Sequence, residues 1–172
     1  MSQTNELEIM ERIALDLEGV EESLASSFNT GAEDFNALIR PLSAAGGKRL
    51  RAQLCLLIAN AGTSVERQRI RIAEAVEMLH LATLIHDDVL DQAEIRRGEE
   101  TIHMHKGNKV AILSGDYLFA KAFQIVSEMP NMKYLQIFSH IITCLVEGEF
   151  MQMEDVYRID QGIERYMTKT QK

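Results

Sequence analysis

The sequence predicts an all-α protein, a bundle of long antiparallel helices, from two features of its composition and one of its pattern. Only 10 of the 172 residues are Gly and 2 are Pro, so residues that break helices are scarce. Residues that favour helices, such as Leu, Ile, Ala, Met, Glu and Lys, are plentiful. Apolar residues recur at three- and four-residue steps. With 46% hydrophobic residues, residues 1–172 are expected to form a single domain.

The first half of the chain is predicted to contain four helices. The first carries an apolar stripe from Leu7 to Leu24, with acidic residues between its members. The second spans residues 34–43 and is followed by Gly46-Gly47, a pair that breaks helices. The third spans residues 48–61. The fourth is mostly buried and runs from residue 65 to about residue 91.

The second half is predicted to contain a loop and three helices. Residues 92–106 have mixed charge and little periodicity, which is typical of a loop. Helices are expected over residues 109–128 and 131–156, with Asn131 as the cap of the second. The last stretch, residues 161–172, is also expected to be helical.

Charge, cysteine usage and the amino terminus narrow the class of protein. The net charge of −8 repels phosphate backbones, so we expect no nucleic-acid partner. Cys55 and Cys144 do not have the spacing of a metal site, and free, buried cysteines are typical of a cytoplasmic protein. The start of the chain lacks the features of a secretory signal, and no apolar run approaches the roughly 20 residues that span a bilayer. We expect a cytoplasmic protein without a membrane span.

The predicted fourth helix ends in acidic side chains. At about 100° per residue, His80, Asp87 and Asp91 lie close to one line on its surface. Carboxylates near a helix C-terminus oppose the helix dipole by about 0.3–1 kcal/mol each, and like charges four residues apart repel each other. A hard cation between them would offset this cost, and Mg²⁺ binds carboxylates together with substrate phosphates. The pattern favours a Mg²⁺ site over a solvated helix end.

Basic residues flank the acidic cluster on both sides along the chain. Arg96-Arg97-Gly98 follows it by a few residues, and Lys48-Arg49-Leu50-Arg51 follows the glycine pair. Arginine can grip phosphate oxygens with two parallel hydrogen bonds. Cations held by aspartates, with guanidinium groups nearby, are what a diphosphate ligand requires.

These residues resemble the trans-prenyltransferases, the polyprenyl synthetase family, and are closest in pattern to bacterial long-chain polyprenyl diphosphate synthases. The motifs that carry the resemblance are Gly46-Gly47-Lys48-Arg49-Leu50-Arg51, His80, His86-Asp87-Asp88-Val89-Leu90-Asp91, Arg96-Arg97-Gly98, Gly107-Asn108, Gly115-Asp116-Tyr117-Leu118 and Gly148-Glu149-x-x-Gln152. Their order covers nearly the whole chain. The resemblance implies an isoprenoid synthase fold that is incomplete at its carboxyl end, because a second aspartate-rich motif of the family is not found here.

The resemblance implies a condensation of isopentenyl diphosphate with an allylic diphosphate. The residues that it assigns to the diphosphate of isopentenyl diphosphate are Lys48, Arg51, His80 and Arg97. Asp87 and Asp91 would hold the Mg²⁺ ions that bridge to the allylic diphosphate, with Asp88 supporting them. Loss of that diphosphate would leave an allylic cation, which the double bond of isopentenyl diphosphate attacks. The product is five carbons longer.

The resemblance also assigns residues to the leaving diphosphate and to the product. Arg96 would contact the allylic diphosphate, and so would Lys169 of the Lys169-Thr170 pair. In this family the residues one to two turns before the first aspartate line the pocket floor, and here they are Ala82 and Thr83. Because both are small, we expect a long product. The family is usually dimeric, which implies a homodimer or pairing with another synthase subunit.

Two alternatives remain. A truncated or non-catalytic synthase subunit would keep the fold and bind diphosphate or a partner chain without turnover. A metal phosphohydrolase is the other, because it also uses a consecutive His-Asp pair, here His86-Asp87. Those sites need a further histidine on an earlier helix, and no histidine precedes His80. The sequence therefore favours the prenyltransferase over the phosphohydrolase.

Overall fold

A computed structural model describes residues 3–28, 33–44, 47–62, 65–158 and 162–171. These residues form helices joined by short connections and one small hairpin, which confirms the predicted all-α bundle. The elements are α1 Gln3–Ser27, α2 Glu33–Ala44, α3 Leu50–Asn60, α4 Glu66–Leu90, β1 Ile95–Arg96, β2 Glu99–Glu100, α5 Ile102–Lys106, α6 Asn108–Ser127, α7 Lys133–Asp155 and α8 Ile163–Thr170.

The elements divide between two compact units, residues 1–128 and residues 129–172. The first contains α1 to α6 with the hairpin, and the second contains α7 and α8. The single domain expected over residues 1–172 stays a prediction.

Helix α4 lies at the centre of the first unit. It packs most extensively against α6 and also contacts α3 and α1. Three of its residues, Ala73, Ala75 and Ala82, are fully buried, and small side chains let neighbouring helices approach closely. The largest fully buried apolar side chains of the unit are Val20, Leu24, Phe28, Ile39, Leu56, Met78, Leu118 and Val126.

Buried ion pairs tie α4 to its neighbours. Arg69 holds Asp16 of α1 with two hydrogen bonds, from Nε at 2.9 Å and from Nη2 at 3.2 Å. The fully buried carboxylate of Glu74 accepts hydrogen bonds from Ser23 and Ser27 of α1, at 2.7 and 2.6 Å. A buried carboxylate is tolerated only when it is bonded in this way. The rotation of α4 against α1 is therefore well defined.

Two predicted boundaries were wrong. The third helix begins at Leu50 and not at residue 48, because Arg49 takes a left-handed conformation with φ 47°. The loop predicted over residues 92–106 contains the hairpin and α5. Its order depends on buried Thr101, whose hydroxyl donates to the carbonyl of Ala93 at 2.8 Å and whose N–H donates to Glu94 at 3.0 Å. A single buried threonine leaves no periodic pattern in a sequence.

Helix α6 departs from the expectation that no apolar run approaches the length of a membrane span. By length and composition alone it could cross a bilayer. Its buried residues include Ala111, Leu118, Ala122, Ile125 and Val126, and its main contacts are with α4. Packing on α4 accounts for part of its apolar character, since 39% of the span is buried in this structure.

In the second unit, α7 and α8 are joined through Asp155. Arg165 of α8 donates from Nε to Asp155 at 2.6 Å and from Nη2 to Glu154 at 3.0 Å. The predicted cap Asn131 accepts a hydrogen bond from the N–H of Lys133, the first residue of α7, at 2.9 Å. Asn131 therefore serves the start of this helix, which begins two residues later than predicted.

Candidate functional site

The two predicted metal ligands lie at the carboxyl end of α4. Asp87 is in its last turn, and Asp91 follows its last residue, with the Asp91 N–H donating to the Asp87 carbonyl at 2.8 Å. Burial raises the pKa of Asp87, and the negative charge of Asp91 raises it further, while Arg96 opposes both. The carboxylates are thus close enough to repel each other, as their spacing predicted.

Asp88 points to a different partner. It is 5% exposed, and its Oδ1 accepts a hydrogen bond from Nε of Arg96 at 2.6 Å. Arg96 lies on β1, so this ion pair joins the hairpin to the end of α4. Asp88 was predicted to support the two metal ligands. In the structure its partner is Arg96, which was itself predicted to bind diphosphate.

His80 lies about two helical turns before Asp87. Three arginine side chains contribute positive charge around it. Its pKa is lowered, first by burial and next by the charge of Arg51, with smaller contributions of the same sign from Arg97 and Arg96. Glu77 acts in the opposite direction. Arg96 therefore lies near both His80 and Asp87. Predicted ligands from α3, α4 and the hairpin share one neighbourhood.

The three basic residues before and within α3 have different environments. Arg49 is 8% exposed and is held by Glu21 through Nε at 2.6 Å and by Glu77 through Nη1 at 3.4 Å. Burial lowers the pKa of Arg49, but the two carboxylates outweigh it and the net change is upward. Lys48 and Arg51 are both exposed. Arg49 thus anchors the segment, and the two predicted ligands remain accessible.

Gly47 allows the hairpin to approach this segment. A Cβ atom at position 47 would come within 3.3 Å of Nη2 of Arg97, which is closer than most contacts of real side chains. The absence of a side chain here therefore lets the guanidinium of Arg97 lie against the backbone of Gly47, the residue before Lys48. Gly46, the other member of the predicted pair, lies outside the described residues.

Strained backbone is concentrated in the same segments. The non-glycine residues with positive φ in the described part of the chain are Arg49, Gln92, Arg97 and Tyr157. Arg49 lies between two predicted ligands, Lys48 and Arg51. Gln92 directly follows Asp91, and Arg97 is itself a predicted ligand. Each such residue costs of the order of 1–3 kcal/mol and persists where the surrounding structure enforces it, often at binding sites. This distribution supports a functional use of both loops.

A cavity of about 950 Å³ lies beside the hairpin in the first unit. It reaches Asp88, Arg96 and Arg97 but is not lined by Asp87 or Asp91, so it covers one side of the predicted site. The wall is mostly apolar. The residues around it are Ala37, Leu38, Pro41, Leu81, Leu84, Ile85, Asp88, Arg96, Arg97, Glu99, Glu100, Thr101, Ile102, His105 and Lys106.

The pocket floor expected at Ala82 and Thr83 is not formed by Ala82 in this structure. Ala82 is fully buried among the helices of the first unit and does not line the cavity. Thr83 is partly exposed, and its hydroxyl donates to the carbonyl of His80 at 2.8 Å. A larger side chain at position 82 would overpack the helix interface instead of filling a tunnel.

The remaining predicted ligands, Lys169 and Thr170, belong to the second unit. Lys169 Nζ lies 3.5 Å from Asp155 Oδ2, and the Thr170 hydroxyl donates to the carbonyl of Tyr166 at 2.8 Å. Burial alone would raise the pKa of Asp155, but hydrogen bonds from Arg165 and Lys169 hold it below its usual value. A local carboxylate partner of Lys169 was not predicted.

The donor set at the end of α4 suits magnesium. Asp87 and Asp91 offer hard carboxylate oxygens, and a bound cation would relieve their repulsion. No group of three or more His, Cys, Asp or Glu side chains comes together as a metal site in the described ranges. Mg²⁺ commonly takes one or two protein carboxylates and completes its shell with substrate phosphate and water. The pair therefore fits a cation that is held jointly with a diphosphate.

Comparison with known proteins matches these observations. The family model described as Polyprenyl synthetase matches residues 32–172. The chain belongs to the polyprenyl synthetase family. Among its curated relatives, octaprenyl diphosphate synthase of Escherichia coli (strain K12) is 33% identical over 92% of this chain and 49% of its own length. Heptaprenyl diphosphate synthase component 2 of Geobacillus stearothermophilus is 37% identical over 90% of this chain and 48% of its own.

A solved member of the polyprenyl synthetase family has the same fold. The polyprenyl synthase of Caulobacter crescentus CB15, in a crystal structure with calcium and isoprenyl diphosphate, matches with a TM-score of 0.85 and 33% identity. The match covers 92% of this chain and 50% of that one. This chain spans about half the length of the curated relatives it matches.

Two residues of the polyprenyl synthetase motifs have contacts that the sequence reasoning did not predict. The ring of His86 lies against α6, with Nε2 3.1 Å from the carbonyl of Ile112. Gly115, noted only as a motif residue, is the position over which this ring lies. The sequence signal for this contact was Gly115 itself, a glycine inside a predicted helix. Glu149 and Gln152, from the last motif, are exposed on α7.

Proposed function

We propose that this chain carries the part of a trans-prenyltransferase site that binds Mg²⁺ and two diphosphates. The reaction is the condensation of isopentenyl diphosphate with an allylic diphosphate. The observation that carries the proposal is the pair Asp87 and Asp91 at the end of α4, where burial and then the charge of Asp91 raise the pKa of Asp87, beside the guanidinium groups near His80. Two carboxylates that can bind Mg²⁺, beside several basic side chains that can bind phosphate, are the combination that a metal-bound diphosphate requires.

The chemistry divides among the residues by charge. Mg²⁺ bound at Asp87 and Asp91 would supply Lewis acidity toward the allylic diphosphate. Arg96, held by Asp88, would stabilise the negative charge that develops as the carbon–oxygen bond breaks. The second diphosphate, that of isopentenyl diphosphate, would be bound and oriented by Lys48, Arg51, His80 and Arg97. A new carbon–carbon bond then forms, and the departing diphosphate accepts the proton that is lost.

The role of Lys169 and Thr170 is part of the same proposal. Lys169 would leave Asp155 to contact the allylic diphosphate, a stronger partner because it carries more negative charge. The 3.5 Å separation between Lys169 Nζ and Asp155 Oδ2 is long for a charge-assisted hydrogen bond, and Arg165 would continue to hold Asp155 through Oδ1 at 2.6 Å.

Product length, location and assembly are finer points. Octaprenyl and heptaprenyl diphosphate synthases among the relatives support a long-chain product. Small residues at positions 82 and 83 were expected to leave room for such a product, but Ala82 is fully buried and neither residue lines the cavity. A cytoplasmic homodimer, or pairing with another synthase subunit, stays a prediction from the sequence.

A second candidate is a subunit that binds diphosphate or a partner chain without turnover by itself. One observation favours it: one relative is named as component 2 of its synthase. The binding residues of the first unit would be the same in both cases. Turnover separates the two candidates.

The test incubates the purified chain with Mg²⁺, labelled isopentenyl diphosphate and farnesyl diphosphate, and measures label extracted into organic solvent. Asp87→Ala is the variant, and Asp34→Ala, at an exposed position on α2, is the matched control. Extension that is lost only in Asp87→Ala supports the enzyme. Saturable binding of diphosphate without extension supports the subunit. If the chain binds no diphosphate at all, the proposed function is contradicted.

A further inference from the structure

His86 fits between four residues of α6. These are Ile112, Gly115, Asp116 and Phe119, at positions i, i+3, i+4 and i+7, the spacing that forms a hole on a helix surface. The His86 and Phe119 ring centroids are 5.4 Å apart. His86 is therefore the knob through which the last turn of α4 is seated on α6.

The polar contacts of His86 define its orientation. Nε2 lies 3.1 Å from the carbonyl oxygen of Ile112 and 3.5 Å from Oδ1 of Asp116. Both neighbours are hydrogen-bond acceptors, so Nε2 must carry a hydrogen. The ring is thereby fixed in both rotation and tautomer.

Gly115 makes this seat possible. A Cβ atom at position 115 would overlap the imidazole of His86, with Nε2 as the nearest atom. Gly115 is buried, while the side chain of His86 is 26% exposed, so a larger residue at position 115 would push the ring out of its seat on α6. A side chain of any size at position 115 therefore competes with His86 for the same space.

The consequence concerns the neighbouring aspartate. His86 directly precedes Asp87, and each residue turns an α-helix by about 100°. Helix ends fray, and the carboxylates at this end repel each other. An anchored His86 fixes the rotation of the turn from which Asp87 and Asp91 project.

We propose that His86, seated in the notch at Gly115, is a positioning residue that holds Asp87 and Asp91 in the arrangement that binds the cation. The inference rests on the proposed function, since it concerns the same pair of carboxylates. It goes further because it assigns a role to His86, Gly115 and Asp116, which are outside the set of residues proposed to bind the cation and the diphosphates.

The test measures Mn²⁺ affinity by electron paramagnetic resonance, with inorganic pyrophosphate present and the whole chain as the protein. His86→Ala should weaken Mn²⁺ binding by about tenfold, the lower end of the effect of removing an orienting partner of a metal ligand. His86→Gln should restore most of the affinity, because its amide can place a donor near the position of Nε2. His140→Gln, at an exposed histidine of α7, is the matched control and should leave the affinity unchanged.

A double-mutant cycle tests the notch itself. Gly115→Ala should weaken Mn²⁺ binding when His86 is present and cost much less in the His86→Ala background, because the overlap is then removed. Circular dichroism of each variant checks that the helices are retained. If Gly115→Ala fails to fold, the comparison of Mn²⁺ affinity between His86→Ala and His86→Gln still tests the positioning role.

The outcomes separate the two claims. If Asp87→Ala abolishes Mn²⁺ binding while His86→Ala leaves it within about twofold of the parent, the positioning role is overturned and the proposed function stands. If Mn²⁺ binding is absent or indifferent to Asp87→Ala, the proposed function fails and the positioning role fails with it. Equal effects of Gly115→Ala in both backgrounds would also overturn the notch.

Discussion

Arg96 donates from Nε to Oδ1 of the buried Asp88, and this single bond of 2.6 Å fixes the guanidinium at the mouth of the cavity beside the hairpin. Since Nε is occupied, a diphosphate would be met by the Nη atoms. An arginine that is already oriented loses less conformational entropy when it binds a ligand. Asp88 is not one of the two proposed cation ligands, but by orienting Arg96 it prepares the site for the diphosphate anion.

Replacing Asp88 should weaken both stability and diphosphate binding. Asp88→Ala removes a buried acceptor of a charge-assisted bond, and Arg96 is one-third exposed and can turn to solvent. We expect a loss of about 1–2 kcal/mol in the free energy of unfolding, measured with urea. Asp88→Asn keeps an acceptor oxygen and should lose less. Equal unfolding midpoints for Asp88→Ala and the parent would contradict the assignment.

Arg97 should trade stability for binding. It sits in the two-residue turn of the hairpin with φ 54°, a conformation that asparagine tolerates better. Arg97→Asn should raise the free energy of unfolding by about 1 kcal/mol and lower the affinity for pyrophosphate in the presence of Mg²⁺ by about tenfold. Arg97→Lys keeps the charge and the strain, so its stability should match the parent. A gain in both properties for Arg97→Asn would refute a binding role.

Glu77 should matter more to stability than its partner Glu21. Glu77 is 4% exposed and accepts from Nη1 of Arg49 at 3.4 Å and from the N–H of Ala52 at 3.0 Å. Glu77→Ala leaves a buried guanidinium and a buried N–H without this carboxylate, and we expect a loss of about 2–4 kcal/mol in thermal or urea unfolding. Glu21→Ala, at the exposed end of the same network, should cost less. The reverse order would show that Arg49 is anchored mainly from α1.

His80 should titrate below its usual range in the free protein. Burial, followed by the charge of Arg51, lowers its pKa, so the unfolded chain binds this proton more readily than the folded one. Stability should therefore fall as the pH drops below the unfolded value of about 6.5 toward the lower folded pKa. His80→Gln should flatten this part of the pH profile.

The ligand should move the same titration upward. A bound diphosphate brings negative charge next to His80 and favours the imidazolium form. Imidazole resonances followed by nuclear magnetic resonance should show a higher midpoint with pyrophosphate than without it. A midpoint above about 6.5 in the absence of ligand would mean that His80 does not face the guanidinium cluster.

The sequence was sufficient for features that follow from regular spacing. Asp87 and Asp91 could be aligned because a helix repeats every 3.6 residues, and α4 carries them as predicted. The family resemblance assigned Lys48 and Arg51 to diphosphate and left Arg49 out, but it gave no physical reason. The structure supplies the reason, because it buries Arg49 in ion pairs with Glu21 and Glu77. The local sequence pattern alone does not distinguish the anchor from the ligands.

Features that depend on one contact between distant residues could not be predicted. The hairpin needs Thr101 to bond back to Ala93, and its turn uses Arg97 where the usual signal is asparagine before glycine. The seat of His86 needs Gly115, 29 residues later in the chain. The burial of Ala82 depends on which side of α4 faces the other helices, a matter of packing and not of side-chain size.

Isothermal titration of the chain with pyrophosphate, with and without Mg²⁺, tests the central claim most directly. In the parent, Mg²⁺ should tighten pyrophosphate binding by about tenfold or more, because the cation bridges the carboxylate pair and the anion. In Asp87→Asn/Asp91→Asn this gain should vanish, while Asp34→Asn retains it. If the double variant gains as much from Mg²⁺ as the parent does, the aspartate pair is not the cation site and the account is contradicted.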